Sequence, residues 1–222
     1  AEVNKLRKQT GAGMMDCKKA LVEAEGDFEA AVDILRKKGQ KVAAKRADRD
    51  ATEGAVIAKT NGTDKGAVIK LSCETDFVAK NENFVALANK IADIALASGV
   101  STAEELGAVE FEGGLTVAAK LQEQTGVIGE KIEVAEMATV NAPYVASYIH
   151  MGNKIGTLVG LTAEAVEAGR DVAMQAAAMN PVALNRDAVP QEVIDRELEV
   201  GKDLARQEGK PEAMLDKIAA GR

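Results

Sequence analysis

Ala55-Val56-Ile57-Ala58-Lys59, Asn61-Gly62 and Ala67-Val68-Ile69-Lys70-Leu71 follow one another within a short stretch, and the fold class turns on how they are read. β-Branched side chains crowd both flanks, and their stiff χ1 angles suit a pleated, extended backbone better than a helix. An Asn-Gly pair between two such runs marks a hairpin. The polar stretch from Thr60 to Gly66 exceeds a two-residue turn, so the predicted hairpin carries a wider loop.

Upstream of this hairpin the apolar residues recur at helical spacing. From Val3 to Lys45 they form three blocks, separated by Thr10-Gly11-Ala12-Gly13 and by Glu25-Gly26-Asp27. The blocks carry Val3 and Leu6, then Met14, Cys17, Leu21 and Ala24, then Phe28, Ala31, Val32 and Leu35. A compact three-helix module is predicted, with Asp27 as an N-cap and Gly39 as the stop after Arg36-Lys37-Lys38. Ala43 to Glu53 is charged, has no core-forming pattern and reads as a helical tail entering a linker. Downstream, Asn81 caps a predicted helix with Phe84, Leu87, Ala88, Ile91, Ile94 and Ala95 on one face.

The same plan returns later. Tyr144 to His150 and Ile155 to Leu161 read as strands about the turn Met151-Gly152-Asn153-Lys154, and Val166 to Met179 as a helix ended by Asn180-Pro181. Pro190 to Gln207 and Pro211 to Ala220 read as two further helices, with Pro at each start. The expected architecture is therefore α+β: a three-helix domain over residues 1–48, then two related α+β subdomains over 54–138 and 139–222, the second carrying the C-terminal helices.

Composition narrows the functional classes. Among 222 residues there is no Trp, aromatics make up 3% and the net charge is −7, with a pI near 5.0. Residues 1–50 hold 12 Lys and Arg against 9 Asp and Glu, and the remainder is acidic. That balance suits protein contact; a duplex-binding surface needs clustered cations and a single-strand binder needs aromatic stacking groups. No direct nucleic-acid partner is expected. Cys17 and Cys73 are far apart and lack neighbouring His, which points to neither a disulfide framework nor a zinc site and suits a reducing cytoplasm. No run approaches the roughly 20 apolar residues of a membrane span, and the start is a charged amphipathic segment, so neither a membrane partner nor a signal peptide is expected. The chain starts without Met inside a helical pattern, from which trimmed ends are expected.

Motifs for chemistry are scarce. No GxxxxGK[ST] loop and no GxGxxG after a strand is present, and His150 is the one histidine, which leaves no His-based metal cluster. Neither an enzyme activity nor a cofactor is expected. Three features invite a docking role, each with a plainer alternative. Thr75-Asp76-Phe77-Val78 lies where the second strand gives way to helix; Phe77 and Phe84 are either core aromatics beside a turn capped by Asp76, or Phe77 is a projecting group. Met14-Met15 follows a Gly-rich turn, and at helical spacing one of the two is expected to face the core while the other is exposed. His150, at a hairpin tip, is either a surface histidine or a contact residue.

These motifs together resemble a known family. Leu6-Arg7 with Thr10-Gly11-Ala12-Gly13-Met14-Met15-Asp16-Cys17-Lys18-Lys19-Ala20-Leu21, continued by Gly26-Asp27 and Ala30-Ala31, is similar to the N-terminal signature of elongation factor Ts. Cys73 with Thr75-Asp76-Phe77-Val78-Ala79-Lys80 resembles its central signature. Ile128-Gly129-Glu130-Lys131-Ile132 and His150-Met151-Gly152-Asn153-Lys154-Ile155-Gly156 resemble two further landmarks.

The resemblance implies a ubiquitin-associated-like first domain and a non-enzymatic factor that binds the GTPase elongation factor Tu and promotes exchange of GDP for GTP. It implies that Asp76 and Phe77, flanked by Thr75 and Val78, intrude on the partner. Ile128 and Gly129 would face the partner's phosphate loop, and His150 would add a contact. Many members of the family continue beyond the match to Gly221-Arg222 with a further module, so exchange is expected to persist here with reduced partner affinity. A non-catalytic adaptor using its three-helix module is the alternative, and self-association is left open.

Overall fold

A computed structural model describes residues 2–221. Its contacts divide the chain into two units, one up to Ala178 and one from Met179.

The first unit begins with α1 (Glu2–Thr10), α2 (Met14–Glu23) and α3 (Phe28–Arg46). Leu6, Cys17, Ala20, Leu21 and Ala31 form their shared core, against which Phe28, Val32 and Leu35 pack. Asp27 caps α3 as expected: its Oδ1 accepts the Ala30 N–H at 3.0 Å. Gly39 does not stop the helix. It is buried mid-helix, where α3 crosses the later helix Val117–Ile128, and a Cβ on Gly126 of that helix would run into the Gly39 backbone. Mid-helix glycine costs about 1 kcal/mol relative to alanine; the close approach of two backbones across the crossing offsets it.

β1 (Glu53–Thr60) and β2 (Lys65–Cys73) form the expected hairpin, with Ala55 opposite Leu71 and Ile57 opposite Ile69. The loop is wide because the Asn61 side-chain oxygen accepts the N–H groups of both Thr63 and Lys65 at 3.0 Å, closing a polar turn. The chain continues through α4 (Asp76–Ala79), α5 (Glu82–Ser98), α6 (Ala103–Ala108), β3 (Glu110–Glu112), β4 (Leu115–Thr116) and α7 (Val117–Ile128). Next comes β5 (Glu133–Asn141), which pairs antiparallel with β2 to give a sheet of order β1-β2-β5. β5 runs through residues 138 and 139, the place at which the sequence reading set the division of the core.

Strand alternation sends β1 and β2 side chains to opposite faces. Ala55, Ile57, Ala67, Ile69 and Leu71 meet Phe84, Ala88, Ile91, Ala92 and Ala95 of α5 in the main core. Burial of each larger side chain in this set stabilises the fold by roughly 1.5–3 kcal/mol. Val56 and Val68, on the other face, meet Gly156. Gly156 belongs to the second hairpin, β6 (Tyr144–Ile149) and β7 (Gly156–Leu161). Behind that hairpin lies α8 (Val166–Met179), with Gly169 against Ala146 and Leu161, and Thr157 Oγ1 donating to the Ala173 carbonyl at 2.7 Å. The layers run α5, three-stranded sheet, hairpin, α8.

The second unit holds α9 (Gln191–Gln207) and α10 (Leu215–Ala220), the latter preceded by a 3₁₀ turn at Glu212–Met214. α10 packs on α9 where Gly201 meets Ala219, with Ala205 and Leu215 buried. Lys202 bridges Glu199 and Asp216, and Arg206 bridges Asp203 and Glu212. Among the described residues no helix is long and apolar enough to cross a membrane.

Candidate protein-docking site

The turn after β2 is built by side chains that satisfy its backbone. Thr75 is the N-cap of α4, its Oγ1 facing the Val78 N–H at 3.5 Å; the cap is Thr75 and not Asp76. Cys73, fully buried at the end of β2, donates its thiol to the Thr75 carbonyl at 3.2 Å, and burial pushes that thiol up to about 11. Phe77 is 84% exposed and Phe84 2% exposed, so the two aromatics divide between projecting group and core. Asp76 accepts a hydrogen bond from Lys80 at 2.7 Å, which with the lysine's charge lowers the Asp76 carboxyl below its ordinary range. Val78 is half-buried and packs on the main core.

A second landmark is tied directly to this turn. Gly129 ends α7 in the left-handed conformation, φ +82°, which glycine adopts without steric penalty. The chain then reverses and presents Glu130. One Glu130 carboxylate oxygen accepts the N–H groups of Glu74 and Thr75, both at 3.0 Å, and the other accepts the Thr75 hydroxyl at 2.7 Å. In return, Glu74 accepts the Lys131 N–H and the Arg46 guanidinium, both at 2.7 Å, and these two, in that order, lower the Glu74 carboxyl. Ile128 is half-buried against the main core.

The β6–β7 tip reaches the same end of the sheet. The Asn153 carbonyl accepts the Val56 N–H at 2.7 Å, and Lys154 pairs with Glu53, which stands opposite Cys73 in the β1–β2 register. His150 is exposed on this tip with its Nδ1 3.0 Å from the Tyr148 hydroxyl. Met14 and Met15, at the start of α2, are 53% and 62% exposed, which corrects the expectation that one faces the core. Ala12 takes the buried place: it is 8% exposed, and its carbonyl accepts the Cys17 thiol at 3.6 Å. Gly11, in the same turn, lies against Val127, the residue before Ile128.

A chain of contacts thus runs from the Met14-Met15 turn through Val127 and the Gly129 reversal to Thr75 and Phe77. It continues through Cys73 and Glu53 to Lys154 and the His150 tip. Sequence reasoning missed Arg46, Glu74 and Glu130, the groups that make the central connection. Their partners lie tens of residues away, and periodicity carries no trace of such pairs. The signal available was position alone: Glu130 lies within a named landmark and Glu74 beside one.

Between the three-helix module and α7 lies a cavity of about 310 Å³, with Val32, Leu35, Phe111, Leu115 and Val127 in its walls and the Asp16–Lys38 ion pair beside it. Among the described residues no cluster of His, Cys, Asp and Glu is arranged to hold a metal ion.

Comparison with known proteins gives a consistent result. A family model described as elongation factor TS matches residues 74–222. The chain is 62% identical to the elongation factor Ts of Christiangramia forsetii, an alignment that covers 100% of this chain and 81% of that protein. It is 57% identical to the elongation factor Ts of Flavobacterium psychrophilum and 51% identical to that of Amoebophilus asiaticus, with the same coverage in both cases.

Proposed function

The chain belongs to the elongation factor Ts family of translation elongation factors, and on that premise we propose that it binds elongation factor Tu and accelerates exchange of GDP for GTP, itself catalysing no covalent step. One observation carries the reading: Phe77 is 84% exposed on a turn whose backbone is capped by Thr75 and bonded to Glu130. An apolar ring held outward on a rigid turn is suited to displacing a neighbour's side chains.

An exchange factor works by differential binding. It favours a partner conformation in which Mg²⁺ and phosphate contacts are weakened, and it need not touch the nucleotide. A GTPase holds GDP through its phosphate loop and metal, so a wedge that shifts the elements supporting them removes several interactions at once. In this reading Phe77 is the wedge and Asp76 its charged neighbour, Thr75 and Val78 frame them, and Ile128 and Gly129 line the approach to the phosphate loop. Met14, Met15 and His150 add contacts on either side. The three parts at residues 1–48, 54–138 and 139–222 act as ubiquitin-associated-like anchor, wedge-bearing subdomain and second grip. The cytoplasm is the compartment that suits this role.

Coupling between sites is reciprocal, so GDP must weaken the complex as much as the complex weakens GDP. Binding of this chain to nucleotide-free elongation factor Tu is measured by calorimetry, with and without saturating GDP. A loss of affinity of at least about tenfold with GDP is expected. Equal affinity in both states refutes exchange and leaves the adaptor reading.

A further inference from the structure

Resting on the exchange reading, we propose that Glu130 and Glu74 are positioning residues, a crossed pair of carboxylates that holds the Thr75–Val78 turn in its working geometry and, through Arg46, ties it to the end of α3.

Each glutamate spends its side chain on the other's backbone. Glu130 accepts from the amides of Glu74 and Thr75 and from the Thr75 hydroxyl, and Glu74 accepts from the amide of Lys131. Two carboxylates that serve one turn would repel one another if left bare. Here the N–H donors take up their charge, and Arg46 neutralises Glu74, whose side chain is only 16% exposed. The bonds converge on the residues just before Phe77, and they engage Thr75 both by amide and by hydroxyl. The same hydroxyl faces the Val78 N–H and starts α4, so Glu130 orients the cap itself. Arg46 adds a longer reach, since it is the last residue of α3 and its guanidinium meets Glu74 at 2.7 Å. The end of the N-terminal module and the wedge are thereby joined by side chains.

The physical benefit is preorganisation. A turn already ordered loses little conformational freedom when it inserts, so binding free energy is left to distort the partner. Without the lock Phe77 remains exposed but wanders, and docking through the other contacts no longer displaces the nucleotide.

The test uses the full chain as Glu130→Ala and Glu130→Gln. Release of labelled GDP from elongation factor Tu is followed as a function of chain concentration, together with hydrogen exchange of the backbone amides in the free chain. For Glu130→Ala the maximal release rate falls by about tenfold or more, the size of a lost charged hydrogen-bond set. Its half-saturating concentration stays within about twofold, because the other contacts remain. Its amides at Glu74, Thr75 and Val78 exchange faster, while those of α5 do not change. Glu130→Gln recovers most of the rate, since its amide oxygen can still accept the two backbone N–H groups and its amide nitrogen can face the Thr75 oxygen.

The lock is overturned if Glu130→Ala releases GDP as fast as the unmutated chain, if Ala and Gln lose activity alike, or if α5 loosens as much as the turn. Unchanged exchange at the Glu74, Thr75 and Val78 amides overturns it whatever the release rates. An unmutated chain that fails to accelerate release instead refutes the exchange reading, which keeps the two failures apart.

Discussion

Phe77 and Phe84 are the same residue type seven positions apart, and their environments separate them completely. At 2% exposed among the α5 and sheet side chains, Phe84 is a core residue, and Phe84→Ala is predicted to cost about 3–5 kcal/mol. Phe77→Ala removes a ring that is 84% exposed and is predicted to change stability by no more than about 0.5 kcal/mol. Urea unfolding of the two variants measures both. In the sequence the two aromatics were open to either role, because the turn between β2 and α5 leaves helical phase undefined until the caps at Thr75 and Asn81 are located. The methionine pair misled for a related reason. Helical spacing assigned one Met to the core, but the turn before α2 folds Ala12 over Cys17 and leaves both methionines outside.

At the scale of elements, the caps and the β-branched runs were legible because their signals are local. Asp27 and Asn81 accept helix N–H groups where expected, and both hairpins pair over the expected residues. What depends on distant partners was not legible. β5 opens with Glu133-Val134-Ala135-Glu136, which lacks the period-2 alternation of a strand, and its backbone is paired along the edge of β2. Gly39 read as a stop because the residue that uses its missing side chain, Gly126, lies in another helix. Gly126→Ala is predicted to push α3 from α7 at a cost of about 1–3 kcal/mol, seen as a lowered thermal midpoint and faster proteolytic cutting between residues 46 and 53. The crossed carboxylates add a pH dependence. The Glu74 carboxyl is held below its ordinary 4.5, first by the Lys131 N–H and then by Arg46, so it stabilises the fold fully above that value. The contribution is lost as pH falls through the lowered folded value. In denaturation titrations the stability gap between the unmutated chain and Glu74→Gln is therefore predicted to be constant near neutrality and to shrink below about pH 4.5.

Across the whole molecule, the α+β class and the order of three helices, hairpin, helix, hairpin and helix could be read from periodicity, but α6 through β5, which stand between that helix and the second hairpin, could not. The assembly of the candidate site could not either. Thr75, Gly129, Lys154 and the Gly11 turn stand far apart in the chain and are joined by Glu130, Glu53 and Val127, whose pairings exist only in three dimensions. The acidic net charge of −7 suits contact with another protein's surface. The structure adds a ring held outward at the centre of that chain of contacts. In the proposed function this ring acts on a nucleotide site in a second protein. Stopped-flow release of fluorescent GDP from elongation factor Tu tests it, with the unmutated chain and Phe77→Ala compared at saturating concentration. Strong acceleration by the unmutated chain is expected, and a rate lower by about tenfold or more for Phe77→Ala. No acceleration by the unmutated chain, or equal rates for the two, would contradict it.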